Sequence, residues 1–168
     1  MPSFELTDPY GKPHSSEALP GPKGLLVGFM CNHCPYALAV WPRFQRLARY
    51  VKDKGINTIA VNPNINPDYP EDSPDNMRKK IEKENIPFPY LVDKSQKLAK
   101  AFKAQCTPDI YLFNEKVELI YHGRIDDNWK EEDKVTRQEL KDAIDKYTSG
   151  EEIAREQFPS MGCSIKWR

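Results

Sequence analysis

The chain has 168 residues, 39% of them hydrophobic and 11% aromatic, with 25 Lys plus Arg balancing 25 Asp plus Glu. That size and apolar content predict one domain over residues 1–168, and zero net charge excludes an electrostatic collector of nucleic acid or anionic membrane. No 18-residue apolar run is present, and Met1-Pro2-Ser3-Phe4-Glu5-Leu6 lacks the basic and apolar regions of a signal peptide. The expectation is therefore a cytoplasmic protein, in which four cysteines read as catalytic or metal-binding rather than as staples.

Phe4 to Lys12 places a short alternating stretch before a Pro/Gly turn and predicts an N-terminal hairpin against a main sheet. Leu25–Met30 is a short apolar run, as a buried central strand requires, and Ile56–Val61 repeats it after a helix, so the two should run parallel. Between them Leu38, Trp41, Phe44, Leu47 and Val51 form one helical stripe that stops at Gly55, with Pro42 expected to kink it. The Pro-, Asn- and Asp-dense stretch 62–75 is long for a structureless connection and is expected to border the site. Ser73-Pro74-Asp75 has the form of an N-cap followed by a first-turn proline, opening a helix that ends near Asn85. Tyr90-Leu91-Val92 reads as a strand and Leu98 to Phe102 as a helix. Asp109–Phe113 and Val117–Tyr121 then form a predicted hairpin around Asn114-Glu115-Lys116. Thr136-Arg137-Gln138-Glu139 is a capping box for a last helix facing inward through Leu140, Ala143, Ile144 and Tyr147, and residues 151–168 read as an irregular tail.

The chemistry concentrates where the first long strand meets the first long helix, in Cys31-Asn32-His33-Cys34-Pro35. A helix N-terminus offers unpaired N–H groups and partial positive charge, so a sulfur held there is stabilised as thiolate. This predicts Cys31 as nucleophile and Cys34, on the same helical face, as the sulfur that resolves its mixed disulfide. Asn32 and His33 are the nearest side chains, and a protonated His33 would favour thiolate. Known couples span roughly −270 to −120 mV, a window in which the dipeptide alone fixes no value. The same spacing also suits half of a zinc site, although no second ligand pair is evident. Cys163 reads either as a third redox thiol on a mobile tail or as a small apolar residue packing with Ile165 and Trp167, and Cys106 as inert. Gly123-Arg124-Ile125-Asp126-Asp127-Asn128 reads as a structural turn or an anion cradle.

The order strand, Cys-x-x-Cys helix, strand, helix, then Thr107-Pro108 before a hairpin and last helix resembles the thioredoxin-like superfamily. Phe4-Glu5-Leu6-Thr7-Asp8 with Gly11-Lys12, and Ile86-Pro87-Phe88-Pro89-Tyr90-Leu91-Val92-Asp93, resemble its redoxin branch, that of alkyl hydroperoxide reductase and thiol-specific antioxidant. Phe29 to Tyr36, Thr107-Pro108-Asp109, Tyr121 to Asn128 and Gly162 to Trp167 are similar to small bacterial thioredoxin-related proteins labelled thiol-disulfide isomerases. The resemblance implies an α/β fold with a central mixed sheet flanked by helices. It also implies a Cys31–Cys34 redox disulfide facing a cis Pro108, with Thr107 backbone groups available to dock substrate. Thioredoxin's Trp-Cys-Gly-Pro-Cys is absent, as are the proline and threonine that precede a peroxidatic cysteine; Val27 and Cys31 occupy their places if Cys34 is aligned.

These features predict a thiol-disulfide oxidoreductase needing no cofactor or metal, with protein or small-molecule disulfides and thiols as partners and a reductant the sequence does not identify. A thiol-dependent hydroperoxidase, passing through a sulfenic acid, is the alternative. A metal-binding or docking module is the third.

Overall fold

The computed structural model describes residues Met1–Arg168. Strands β1 (Glu5–Thr7) and β2 (Pro13–Ser15) form the expected antiparallel hairpin, with Leu6 opposite His14. The central sheet begins with β3 (Gly24–Phe29), continues after helix α1 (Pro35–Lys52) with β4 (Ile56–Asn62), and after α2 (Pro74–Glu84) with β5 (Tyr90–Val92). Helix α3 (Lys97–Phe102) leads to the two-residue strand β6 (Cys106–Thr107), then β7 (Asp109–Phe113) and β8 (Leu119–Gly123). Helix α4 (Glu139–Thr148) and a last short strand, β9 (Cys163–Ser164), complete the chain. The five-stranded order is β5-β4-β3-β7-β8, parallel on the β4 side of β3 and antiparallel on the β7 side.

Every residue of β3 is buried because both faces of the sheet are covered. Leu26 and Met30 face a core completed by Trp41 and Phe44 of α1, Met77 of α2 and Leu140 of α4. Leu25, Val27 and Phe29 face a second core with Leu98 and Phe102 of α3 and Ile165 of the tail, against which Phe4 and Leu6 of the hairpin pack. Gly28 carries no side chain because a Cβ there would meet the Phe44 ring at 2.7 Å; its absence lets α1 sit directly on the strand that delivers Cys31.

Helix α1 runs through Pro42 to Lys52, but its buried stripe is Ala37, Val40, Trp41, Phe44, Ala48 and Val51. Leu38, expected inside, is exposed. The inward face also buries Arg43, whose guanidinium finds Asp126, and Gln45, whose amide finds Glu84. Ser73 caps α2 as predicted, accepting from the Asn76 N–H at 3.3 Å. The Thr136 capping box does not form: Asp127 accepts from the Thr136 N–H and hydroxyl, and α4 starts at Glu139 without a side-chain cap. The second hairpin strand begins at Leu119 rather than Val117, because Val117 lies in the turn with φ +55°.

Residues 151–168 depart most from expectation. The tail is irregular only up to Gly162; β9 then pairs antiparallel with β6, Cys106 opposite Ser164 and Thr107 opposite Cys163. Gln96 and Asn64 hold the backbone of Lys166 beyond it.

Candidate active site

Strand β3 delivers Cys31 and helix α1 receives Cys34, but the helix begins at Pro35, with Cys34 at its N-cap. The expected common helical face therefore does not exist: Cys31 lies in the preceding loop. Pro35 suits the first helical position, where no N–H is needed, and Leu38 donates the first helical bond to the Cys34 carbonyl at 2.9 Å. Both cysteines are free thiols and fully buried.

Thr107 brackets the pair. Its hydroxyl lies 3.1 Å from Cys31 Sγ, and its carbonyl accepts from Cys34 Sγ at 3.3 Å. The Thr107–Pro108 bond is cis, as the resemblance implied. The Trp41 indole N–H, read from sequence only as core, holds the Cys31 carbonyl at 3.0 Å.

The sequence reading missed Asp72, a fully buried carboxylate in the turn Pro70–Asp72 before α2. It accepts from the Asn32 N–H at 2.6 Å, the Asn62 amide at 2.9 Å, and the His33 ring. Asn32 also donates to the Glu71 carbonyl and accepts from the Tyr90 hydroxyl. The Tyr69 ring stacks on His33 at 4.6 Å. The 62–75 connection thus borders the site, which was the one signal in the sequence pointing toward Asp72. The His33 ring is paired with the Asp72 carboxylate.

The two thiols ionise as a pair. A hydrogen bond from Cys31 draws Cys34 down to about 4 against the cost of burial, and Cys163 and the Ala37 N–H at the helix start add to the pull. The same bond pushes Cys31 up, together with burial and the negative charge of Asp72, while the Thr107 hydroxyl opposes the rise. Helix-start stabilisation therefore falls on Cys34 rather than on Cys31, correcting the expectation.

Cys163 packs against Cys31, Cys34 and Ala37. Burial and its bond to Cys34 push it up to about 11. Cys106 points away, toward the Pro108 carbonyl, and burial raises it to about 12. The Gly123–Asn128 run is structural: Arg124 pairs with Glu139, and Arg43 holds Asp126. Sulfur, nitrogen and oxygen donors of Cys31, His33 and Asp72 lie within 4.8 Å of one another and form the set that could hold a metal. The Asp72 oxygens, however, already accept three hydrogen bonds, whereas zinc asks for four free ligands. No helix is long and apolar enough to cross a membrane.

A mixed sheet with a cysteine at the cap of its first long helix and a cis-proline segment facing it defines the thioredoxin-like fold. The match of residues 1–122 to the AhpC/TSA family then places the chain: it belongs to that family. A conserved protein of Geobacillus kaustophilus superimposes with a TM-score of 0.93 at 39% identity, covering 99% of this chain and 89% of the other. The exposed lipoprotein thioredoxin of Streptococcus pneumoniae shares the fold at 20% identity, with a TM-score of 0.63 over 86% and 99% of the two chains. The thiol-disulfide oxidoreductase ResA of Halalkalibacterium halodurans is 27% identical over 118 residues, covering 70% of this chain and 62% of that protein. The matched stretch thus spans less than two thirds of ResA.

Proposed function

We propose that the protein is a thiol-disulfide oxidoreductase exchanging Cys31 and Cys34 with disulfides of proteins or small molecules. The observation that carries this reading is the Thr107 bracket, with hydroxyl against one sulfur and carbonyl against the other. Moving the shared proton to Cys34, whose S–H donates a hydrogen bond to the Thr107 carbonyl, leaves charge on Cys31 with the Thr107 hydroxyl as donor. Cys31 then attacks a substrate disulfide: one sulfur leaves as thiolate, and the other stays bonded to Cys31. Cys34 passes its proton to the first thiolate released and, supported by the Ala37 N–H, attacks the Cys31 sulfur and releases the second thiolate, closing Cys31–Cys34. Asn32, His33 and Pro35 position the loop and the helix start; Thr107–Pro108, expected to offer free backbone groups to substrate, instead has its strand edge paired with β9, so substrate docks there only if the tail yields. Two relatives whose names describe a thioredoxin and a thiol-disulfide oxidoreductase support the assignment.

The test is stopped-flow oxidation of the reduced protein by a disulfide and, separately, by hydrogen peroxide, with thiol trapping. Fast reaction with the disulfide is expected, with Cys31→Ser inactive and Cys34→Ser accumulating mixed disulfides. Turnover by Cys31→Ser at the wild-type rate overturns the reading, and preferential reaction with peroxide replaces it with a thiol peroxidase.

A further inference from the structure

Three thiols, not two, meet at the helix start. Cys163 reaches them through a built arrangement: β9 pairs with β6 so that Cys163 lies opposite Thr107, the residue that brackets the other two sulfurs. The approach is close enough to require a bare backbone at the preceding position, since a Cβ on Gly162 would lie 2.2 Å from the Thr107 carbonyl oxygen. Beyond the strand, Ile165 is buried in the second core and its N–H bonds to the Gln105 carbonyl at 3.1 Å, so Cys163 is anchored on both sides. The segment occupies the edge that a docking substrate would use. It lies outside residues 1–122, the part matched by the family.

We propose that Cys163 is a third exchange thiol, an internal partner that takes over Cys34 from Cys31. The inference rests on the Cys31–Cys34 exchange reading. In the step, the Cys163 thiolate attacks the Cys34 sulfur of the Cys31–Cys34 disulfide. The Cys31–Cys34 bond breaks, a Cys34–Cys163 bond forms, and the electron pair leaves on Cys31, which takes up the proton given up by Cys163. Nothing is oxidised or reduced overall, so no further reactant is needed. The chain remains oxidised by two electrons while Cys31 is again free to attack. Cys163 packs against the cluster of Cys31, Cys34 and Ala37, which places a third sulfur beside the pair. Cys106 is not a competitor, because its sulfur is directed at the Pro108 and Ser160 carbonyls.

Full-length wild type and Cys31→Ser are equilibrated in glutathione buffers of graded ratio, quenched with alkylating reagent and mapped by mass spectrometry. In Cys31→Ser, glutathione disulfide first caps Cys34, and Cys163 then displaces glutathione. The expected product is an intramolecular Cys34–Cys163 disulfide with loss of Cys163 alkylation. Oxidised wild type is expected to contain that linkage alongside Cys31–Cys34. Cys31→Ser that ends with glutathione on Cys34 and Cys163 fully alkylated overturns the proposal. Should Cys31→Ser fail to fold, oxidised wild type lacking any Cys34–Cys163 linkage across the buffers does the same. Wild type that closes Cys31–Cys34 while Cys163 stays free overturns the third thiol alone. Wild type that never closes Cys31–Cys34 overturns the exchange reading beneath it.

Discussion

Asp72 and Asp126 are both buried carboxylates, and they are satisfied in opposite ways. Both oxygens of Asp126 accept from one Arg43 nitrogen at 2.9 Å, and the same guanidinium reaches the Asn128 and Trp129 carbonyls. Asp72 has no such permanent cation: its donors are a backbone N–H, an amide and a histidine ring. The first arrangement cancels charge and fastens α1 to the segment before α4. The second leaves negative charge near Cys31, where it opposes ionisation of that thiol. Burial alone does not reveal which job a carboxylate has; the charge of its partner does.

The largest effect expected from breaking this contrast is on the fastener. Arg43→Met leaves Asp126 buried without its cation and should cost about 3–5 kcal/mol in chemical denaturation. An unchanged midpoint would show that the pair holds nothing.

Asp72→Asn should cost less, about 1–3 kcal/mol, because a neutral acceptor of the same shape remains for the Asn32 N–H. Its distinctive effect is electrostatic: without the negative charge, Cys31 ionises at lower pH, read from thiolate absorbance in titration. Stability of the reduced wild type should depend on pH in two phases. From about pH 4 toward the ordinary thiol value of 9.0, the unfolded chain holds a proton on Cys34 that the folded chain has released, so stability rises with pH. Above 9.0 the unfolded chain releases the Cys31 proton that the folded chain retains, so stability falls. Asp72→Asn should bring an earlier end to that fall, and the disulfide form should lose the rise and keep only the part of the fall that Cys106 and Cys163 contribute. A pH-independent difference between reduced and oxidised stability would contradict the shared proton.

The smallest change sharpens the comparison. Ser73→Ala, one residue from Asp72, removes the α2 cap and should cost about 1 kcal/mol. The thiol titration should stay where it is, and a shift would mean that Asp72 depends on the cap for its placement.

What the sequence revealed follows the range of the interactions. Leu25–Met30 and Ile56–Val61 were legible because a wholly apolar run has few places to go, and Ser73-Pro74 because a cap is made within four residues. The Thr136 capping box was locally plausible but lost to Asp127, nine residues away. Leu38 was placed inward because periodicity counts apolar residues, whereas here an Arg43 ion pair and a Gln45 amide take buried positions. Cys31, Cys34 and Thr107–Pro108 were found by motif. Asp72 is 40 residues from the Asn32 N–H it accepts, and Cys163 meets Thr107 across a strand pairing that no periodicity announces.

Asn32 is tied down at three points: its N–H to Asp72, its amide to the Glu71 carbonyl, and its oxygen to the Tyr90 hydroxyl. The residues between two redox cysteines invite transplantation as a dial for reduction potential. Between Cys31 and Cys34 the first such residue is also a peg joining their loop to the α2 entrance and strand β5. Replacing it would alter the electronics and release the loop together, so a potential measured on such a graft would report both changes.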